Sequence, residues 1–151
     1  MTIDLFIEGV PAPQGSKTAV VRGGHAVVIE GSSTTGRRKH QAWRNAVHAA
    51  AAQVVGHGIT EDAPIEIEIG FLMPLPASYA KWRAGTDCYV KPDLDKLVRS
   101  TLDGLDDGGL LPGGDSRVCW VQASKRYADA DEQPGAHVSL HAIDVPQRGD
   151  L

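Results

Sequence analysis

Between Pro64 and Met73 the chain places Ile65, Ile67, Ile69, Phe71 and Met73 at every second position, with Glu66, Glu68, Gly70 and Leu72 between them. Successive side chains of a strand point to opposite faces, so this order calls for a β-strand with one face against a core. A second pattern follows at a different period. Leu94, Leu97, Val98, Thr101, Leu102 and Leu105 fall at i, i+3, i+4, i+7, i+8 and i+11. That spacing predicts an amphipathic helix from about Asp93 to Leu105. A strand and a helix that each need covering on one side can cover each other, which points to helices layered on a sheet.

The rest of the chain supplies more of both. Thr2 to Glu8 reads as a strand, and Pro11, Pro13 and Gly15 break it. Thr18 to Val21 and Ala26 to Ile29 flank Arg22-Gly23-Gly24-His25, a hairpin turn. Gly31 to Thr35 offers capping side chains to a helix running from about Gly36 to Val55, with Trp43, Val47, Ala50, Ala51 and Val54 facing the core and Gly56-His57-Gly58 as its stop. Ser78 to Ala84 is a short helix or ordered loop. Arg117 to Tyr127 and Ala136 to Ile143 are two last strands. The order β-β-β-α-β-α-β-β implies an α+β fold: one compact domain over residues 1–143, a mixed sheet with two main helices packed on it, and a flexible tail over 144–151.

Composition narrows the function classes. At 151 residues with 42% apolar and 23% charged residues, the chain suits a single globular domain. No apolar run is long enough to span a membrane, and the start lacks a signal-peptide pattern, so a cytoplasmic protein is expected. Cys88 and Cys119 have no metal-site or disulfide spacing and are expected to be packing residues in a reducing compartment. The net charge of −4 hides a segregation: between Gly15 and His48 there are six cations (Lys17, Arg22, Arg37, Arg38, Lys39 and Arg44) against Glu30 alone. Arg37-Arg38-Lys39 at a helix start suits a DNA backbone, and Lys17 and Lys91 are further phosphate candidates. Trp82 and Tyr89 are expected to pack rather than to stack on bases.

The chemistry concentrates in Lys91-Pro92-Asp93-Leu94-Asp95-Lys96-Leu97-Val98-Arg99, followed by Asp103 and Asp115. Carboxylates this close repel unless a cation neutralises them, and hard oxygen ligands suit Mg²⁺ with a substrate phosphate as a further ligand. Asp115, after a glycine-rich loop and just before a strand, is expected to return to the helix start and complete a site with Asp93 and Asp95. Lys96 and Arg99 would stabilise charge on a phosphate. Two plainer readings stand beside this one. Asp93 has the position of a helix cap. Asp95, Arg99 and Asp103 have the spacing of an ion-pair ladder, which makes Asp103 a supporting residue rather than a ligand. The stretch Asp103-Gly104-Leu105-Asp106-Asp107-Gly108 has a loose Ca²⁺-loop composition but no matching glutamate.

The stretch from Lys91 to Leu105, with Gly114-Asp115-Ser116-Arg117-Val118, resembles the RusA family of Holliday-junction resolvases. The loop from Pro11 to Lys17 and the helix carrying Trp43-Arg44 are also similar. The resemblance implies a homodimeric, Mg²⁺-dependent endodeoxyribonuclease, with Mn²⁺ an expected substitute, that makes paired nicks in four-way DNA junctions during recombination and repair. It makes Asp93, Asp95 and Asp115 metal-binding catalytic carboxylates, with Lys96 and Arg99 assisting. The chain departs from the family pattern at three places: Lys96 stands for an Asn, Arg99 for a helical Lys, and Gly114 for the first acid of an Asp-Asp pair. Those departures leave two alternatives open, a junction-binding protein that does not cleave and a metal-stabilised structural module.

Overall fold

The structure, a computed structural model, describes residues 2–14, 17–30, 34–56, 59, 63–146 and 149. The expected Gly15-Ser16 phosphate loop, residues 31–33 of the capping segment, His57 and Gly58 of the helix stop, and four residues of the tail lie outside these. So does the side chain of Lys17.

Six strands and two main helices follow the expected order: β1 (Thr2–Glu8), β2 (Lys17–Arg22), β3 (His25–Glu30), α1 (Thr34–Val54), β4 (Ile65–Met73), α2 (Leu94–Asp107), β5 (Val118–Tyr127) and β6 (Gly135–Ala142). Two single 3₁₀ turns, Lys81–Arg83 and Asp115–Arg117, precede α2 and β5. The main sheet has the order β1-β6-β4-β5, and β2 and β3 form a separate hairpin. β6 is antiparallel to both β1 and β4, whereas β4 and β5 are parallel. The sheet is therefore mixed and the domain α+β.

Alternation in β4 decides where the helices sit. Ile67 pairs with Leu140 and Ile69 with Val138, and Leu140 also pairs with Ile3, so the buried side chains of three strands share one face. Trp43, Val47 and Ala51 of α1 and Leu97 and Leu105 of α2 close over that face in one continuous core. Two glycines set the crossing of the helices. A Cβ on Gly104 would lie 2.7 Å from Val47 Cγ1, and one on Gly108 2.6 Å from Ala51 Cβ. These glycines belong to the acidic stretch with a Ca²⁺-loop composition, but that stretch is helical as far as Asp107 and its glycines serve helix contact. Trp43 Nε1 donates to Thr101 Oγ1 (3.1 Å) across the same contact, so both buried polar groups are paired.

The connection from β4 through α2 to β5 joins parallel strands, so α2 must run back against them. The start of α2 then lies at the C-terminal end of β4 and β5, and its end lies where those strands begin. This topology governs the site.

Candidate active site

Asp93 is the N-cap residue of α2, with φ −66° and ψ 139°, yet its carboxylate makes no capping hydrogen bond. Only its backbone carbonyl joins the helix, accepting from Leu97 N–H at 3.2 Å. The carboxylate is exposed and lies 3.7 Å from Lys96 Nζ. Asp95, in the first turn, is also exposed. Among the described residues it has no ion pair with Arg99, and Arg99 has none with Asp103. The ion-pair ladder is thus not formed. Asp103 instead faces Arg44 of α1 (3.9 Å), which also bridges to Asp107. Asp103 therefore ties α2 to α1, and the plainer uses of Asp93 and Asp95 are both absent.

The backbone ahead of Asp93 is held by the end of β5. Gly85 N–H donates to Tyr127 O (3.1 Å), Tyr127 N–H to Thr86 O (2.8 Å) and Cys88 N–H to Lys125 O (3.2 Å), so residues 85–88 extend the sheet beyond its edge strand. The Lys125 ammonium then donates to Pro92 O (2.6 Å) and to Val90 O. It fixes the last residues before Asp93 from the opposite side of the chain. Nothing local in the sequence marks this role, because a lysine on a strand ordinarily points to solvent.

Asp115 sits elsewhere. It opens the 3₁₀ turn before β5, after Gly113 and Gly114 at φ 89° and 100°. Gly114 at ψ 170° occupies a region open in practice only to glycine, which accounts for its residue type in backbone terms. Arg117 clamps this turn, donating from Nε (3.1 Å) and from its terminal nitrogens to Ala63 O just before β4, and to Pro112 O. Asp115 therefore lies at the beginning of β4 and β5 and Asp93 at their end. Val118 and Lys125 stand seven positions apart along β5. At about 3.3 Å per residue that stretch spans roughly 20 Å. The expected return of Asp115 to the helix start is not what the chain does. Among the described residues no group of three or more Asp, Glu, His or Cys side chains is close enough to hold one metal ion.

Next to Asp93 a cleft of about 500 Å³ opens between the Val10–Pro13 segment, the start of α1, the end of β4 and the Val90–Asp93 segment. It gathers Lys39, Lys91 and Lys96 beside Asp93. Arg37 and Arg38 are exposed on the adjoining turn of α1. Tyr127 lines the cleft; its hydroxyl is buried beside the Cys88 thiol, and burial, followed by the hydrogen bond with that thiol, holds its pKa up at about 12.

Two further expectations change. Trp82 and Tyr89 do not pack: they are 76% and 81% exposed, on the loop that leads to Lys91. Arg83 lies between them in sequence, with its guanidinium 4.3 Å from the Tyr79 ring centre and Nη2 3.4 Å from the Tyr89 hydroxyl. Cys88 is buried as expected, but Cys119 is exposed.

Exposed carboxylates that make no capping bond, lysines around a cleft and uncovered aromatic rings together suit a polyanion with bases. Comparison with known families agrees. The sequence matches the family described as Endodeoxyribonuclease RusA over residues 9–141. The chain belongs to the RusA family. A search of curated proteins found no match. The family is one of endodeoxyribonucleases that act as crossover junction resolvases, so the chain's enzyme class is hydrolysis of DNA phosphodiesters and branched DNA is its substrate class. The reading of the chain as a metal-stabilised structural module is therefore set aside. No helix among the described residues is long and apolar enough to cross a membrane.

Proposed function

We propose that the chain is a Mg²⁺-dependent resolvase that cuts Holliday junctions and related branched DNA by paired nicks, in recombination and repair in the cytoplasm, and that it works as a homodimer. The observation that carries this reading is the state of Asp93 and Asp95. Both are hard oxygen donors at the start of a helix, both are exposed, and neither is used by a cap or an Arg99 pair. Exposed carboxylates of this kind, Asp93 with only Lys96 beside it, fit Mg²⁺, or Mn²⁺ in its place, through two ligands. When bound, the metal lowers the cost of attack by water on a phosphate.

The chain's own groups do the remainder. Lys125 holds the Asp93 backbone in place. Lys96 and Arg99, on the exposed first turns of α2, face the charge that grows on the phosphate. Arg99 offers a planar guanidinium fork, suited to binding phosphate charge rather than to delivering a proton. Lys17, Arg37, Arg38, Lys39 and Lys91 grip the backbone of the DNA arms, while Trp82 and Tyr89 meet bases opened at the branch.

Asp115 gives the dimer its reason. A carboxylate at the start of β5, with most of that strand, at ~3.3 Å per residue, between it and the end that holds Pro92, cannot join Asp93 of its own chain at one metal ion. Supplied by a second copy, it completes the set. A dimer also places two sites on one junction, as paired nicks require.

The reading is tested with an end-labelled four-way junction incubated with and without Mg²⁺ and resolved on a denaturing gel. Nicks at symmetric positions that need the metal support it. A protein that binds the junction tightly yet leaves it whole with Mg²⁺ and with Mn²⁺ contradicts it. That outcome would favour the non-cleaving binder that the Arg99 and Gly114 departures bring to mind.

A further inference from the structure

The cleft beside Asp93 has more structure than backbone binding needs. Its walls are apolar and stiff: Pro11, Pro13, Pro74 and Pro76, with Met73, line it from two separate segments. Proline fixes its own φ, so these walls are formed before any ligand arrives. The volume of about 500 Å³ falls within the ~300–1,000 Å³ of small-molecule sites, large for an ion and small for a duplex. The charged lining is Lys39, Lys91 and Lys96 against Asp93, a positive excess at the mouth. Among its lining residues, Tyr127 has a buried hydroxyl with only the adjacent Cys88 thiol beside it. Buried polar atoms so thinly partnered are rare and commonly mark a place where a ligand group belongs.

We infer that this cleft takes up one unstacked nucleotide of the branched DNA, with its base between the proline walls and its phosphate among Lys39, Lys91 and Lys96. The inference rests on the proposed function and adds to it a base-accepting subsite next to the cleavage carboxylates. A planar, apolar-faced ring with polar edges suits these walls and the buried Tyr127 hydroxyl, and the phosphate suits the lysines. The lysines have no comparable match in an apolar peptide, and the prolines have none in a bare phosphate. Bases at a branch point are already partly unstacked, so extruding one there meets less resistance than in a duplex. The subsite would also let the enzyme choose where at the branch it cuts.

The test uses the full chain in Ca²⁺ without Mg²⁺, so that the complex forms and is not cut, with junctions carrying a single 2-aminopurine at successive positions around the branch. The expected result is a fluorescence rise of about threefold or more at one position per strand pair, with little change elsewhere. Val10→Trp, which projects a ring into the cleft and removes no charge, should abolish that rise and slow cleavage by about tenfold in Mg²⁺. Thermal melting of the variant, unchanged from wild type, shows that it is folded. A complex that forms in Ca²⁺ and is cut in Mg²⁺, but shows no rise at any position, overturns the subsite and leaves the nuclease reading standing. A rise that persists in folded Val10→Trp also overturns it, because the base is then held elsewhere. A chain that neither binds nor cuts the junction overturns both readings.

Discussion

Replacing Lys125 with methionine keeps most of the side chain's length and apolar stem but removes the ammonium that donates to Val90 O and Pro92 O. A hydrogen bond to a charged group contributes about 1.5–3 kcal/mol when buried. Lys125 is only half-buried, and water can reach part of what it leaves, so both bonds together are worth about 2 kcal/mol. For a chain of this size each kcal/mol moves the melting temperature by roughly 2–4 °C, so Lys125→Met should melt about 4–8 °C lower. The effect on cleavage should be larger than that loss suggests. Pro92 precedes Asp93, and displacement of a reacting group by about 1 Å can cost on the order of 100-fold in rate. The assay pairs calorimetry with single-turnover cleavage at saturating enzyme. Junction affinity should change by less than about threefold and its salt dependence should keep its slope. Refutation would take either of two forms. One is a lower melting temperature with an unchanged cleavage rate. The other is a loss of affinity with a slope shallower by about 0.9, which would make Lys125 a phosphate contact.

Three other substitutions probe separate parts of the account. Gly104→Ala would ordinarily stabilise a helix by about 1 kcal/mol, but its Cβ meets Val47 Cγ1 at 2.7 Å, so differential scanning calorimetry should show a net loss of about 1–2 kcal/mol. A Val47→Ala background should recover part of that loss. Gly114→Asp places an acid where the family has one, yet the φ of 100° opposes any side chain, so melting temperature and cleavage rate should both fall rather than rise. Glu132 has its pKa lowered to about 2, first by its hydrogen bond from Arg126 and then by the Asp129 N–H. A carboxylate with a depressed folded pKa stabilises above its ordinary value near 4.5, and the contribution disappears as pH falls towards 2. Glu132→Gln should therefore melt below wild type at pH 6, with the gap closing between pH 4.5 and 2.

Much of this fold was legible because each element carries its own period. The alternation of Ile65, Ile67, Ile69, Phe71 and Met73 gave β4 to within a residue, and the Leu94–Leu105 spacing gave α2. What local pattern cannot carry is where elements meet. Asp115 stands close to a strand in sequence, and nothing within that segment says that β5 runs parallel to β4 and so begins at the far end of α2. The clamps by Lys125 and Arg117 bind backbone carbonyls, which every residue possesses, so neither had a sequence signature. Nothing local said why Gly104 stands inside α2, where glycine is rare, or Gly108 at its end; the close approach of α1 is what requires both. Trp82 and Tyr89 were given to packing on the ordinary tendency of large rings, and their exposure beside Lys91 argues for a surface kept open to a ligand.

The central claim is that Asp93 and Asp95 of one chain work with Asp115 of another. Mixed dimers test it most directly. Asp95→Asn and Asp115→Asn proteins, each inactive alone, are mixed, allowed to exchange subunits and assayed on a labelled junction in Mg²⁺. A shared site predicts that the mixed dimer holds one intact set and one set with both lesions, so single-strand nicking returns while paired nicking does not. Sites built within one chain would leave a lesion in each, and a mixture as inactive as its separate components would contradict the account.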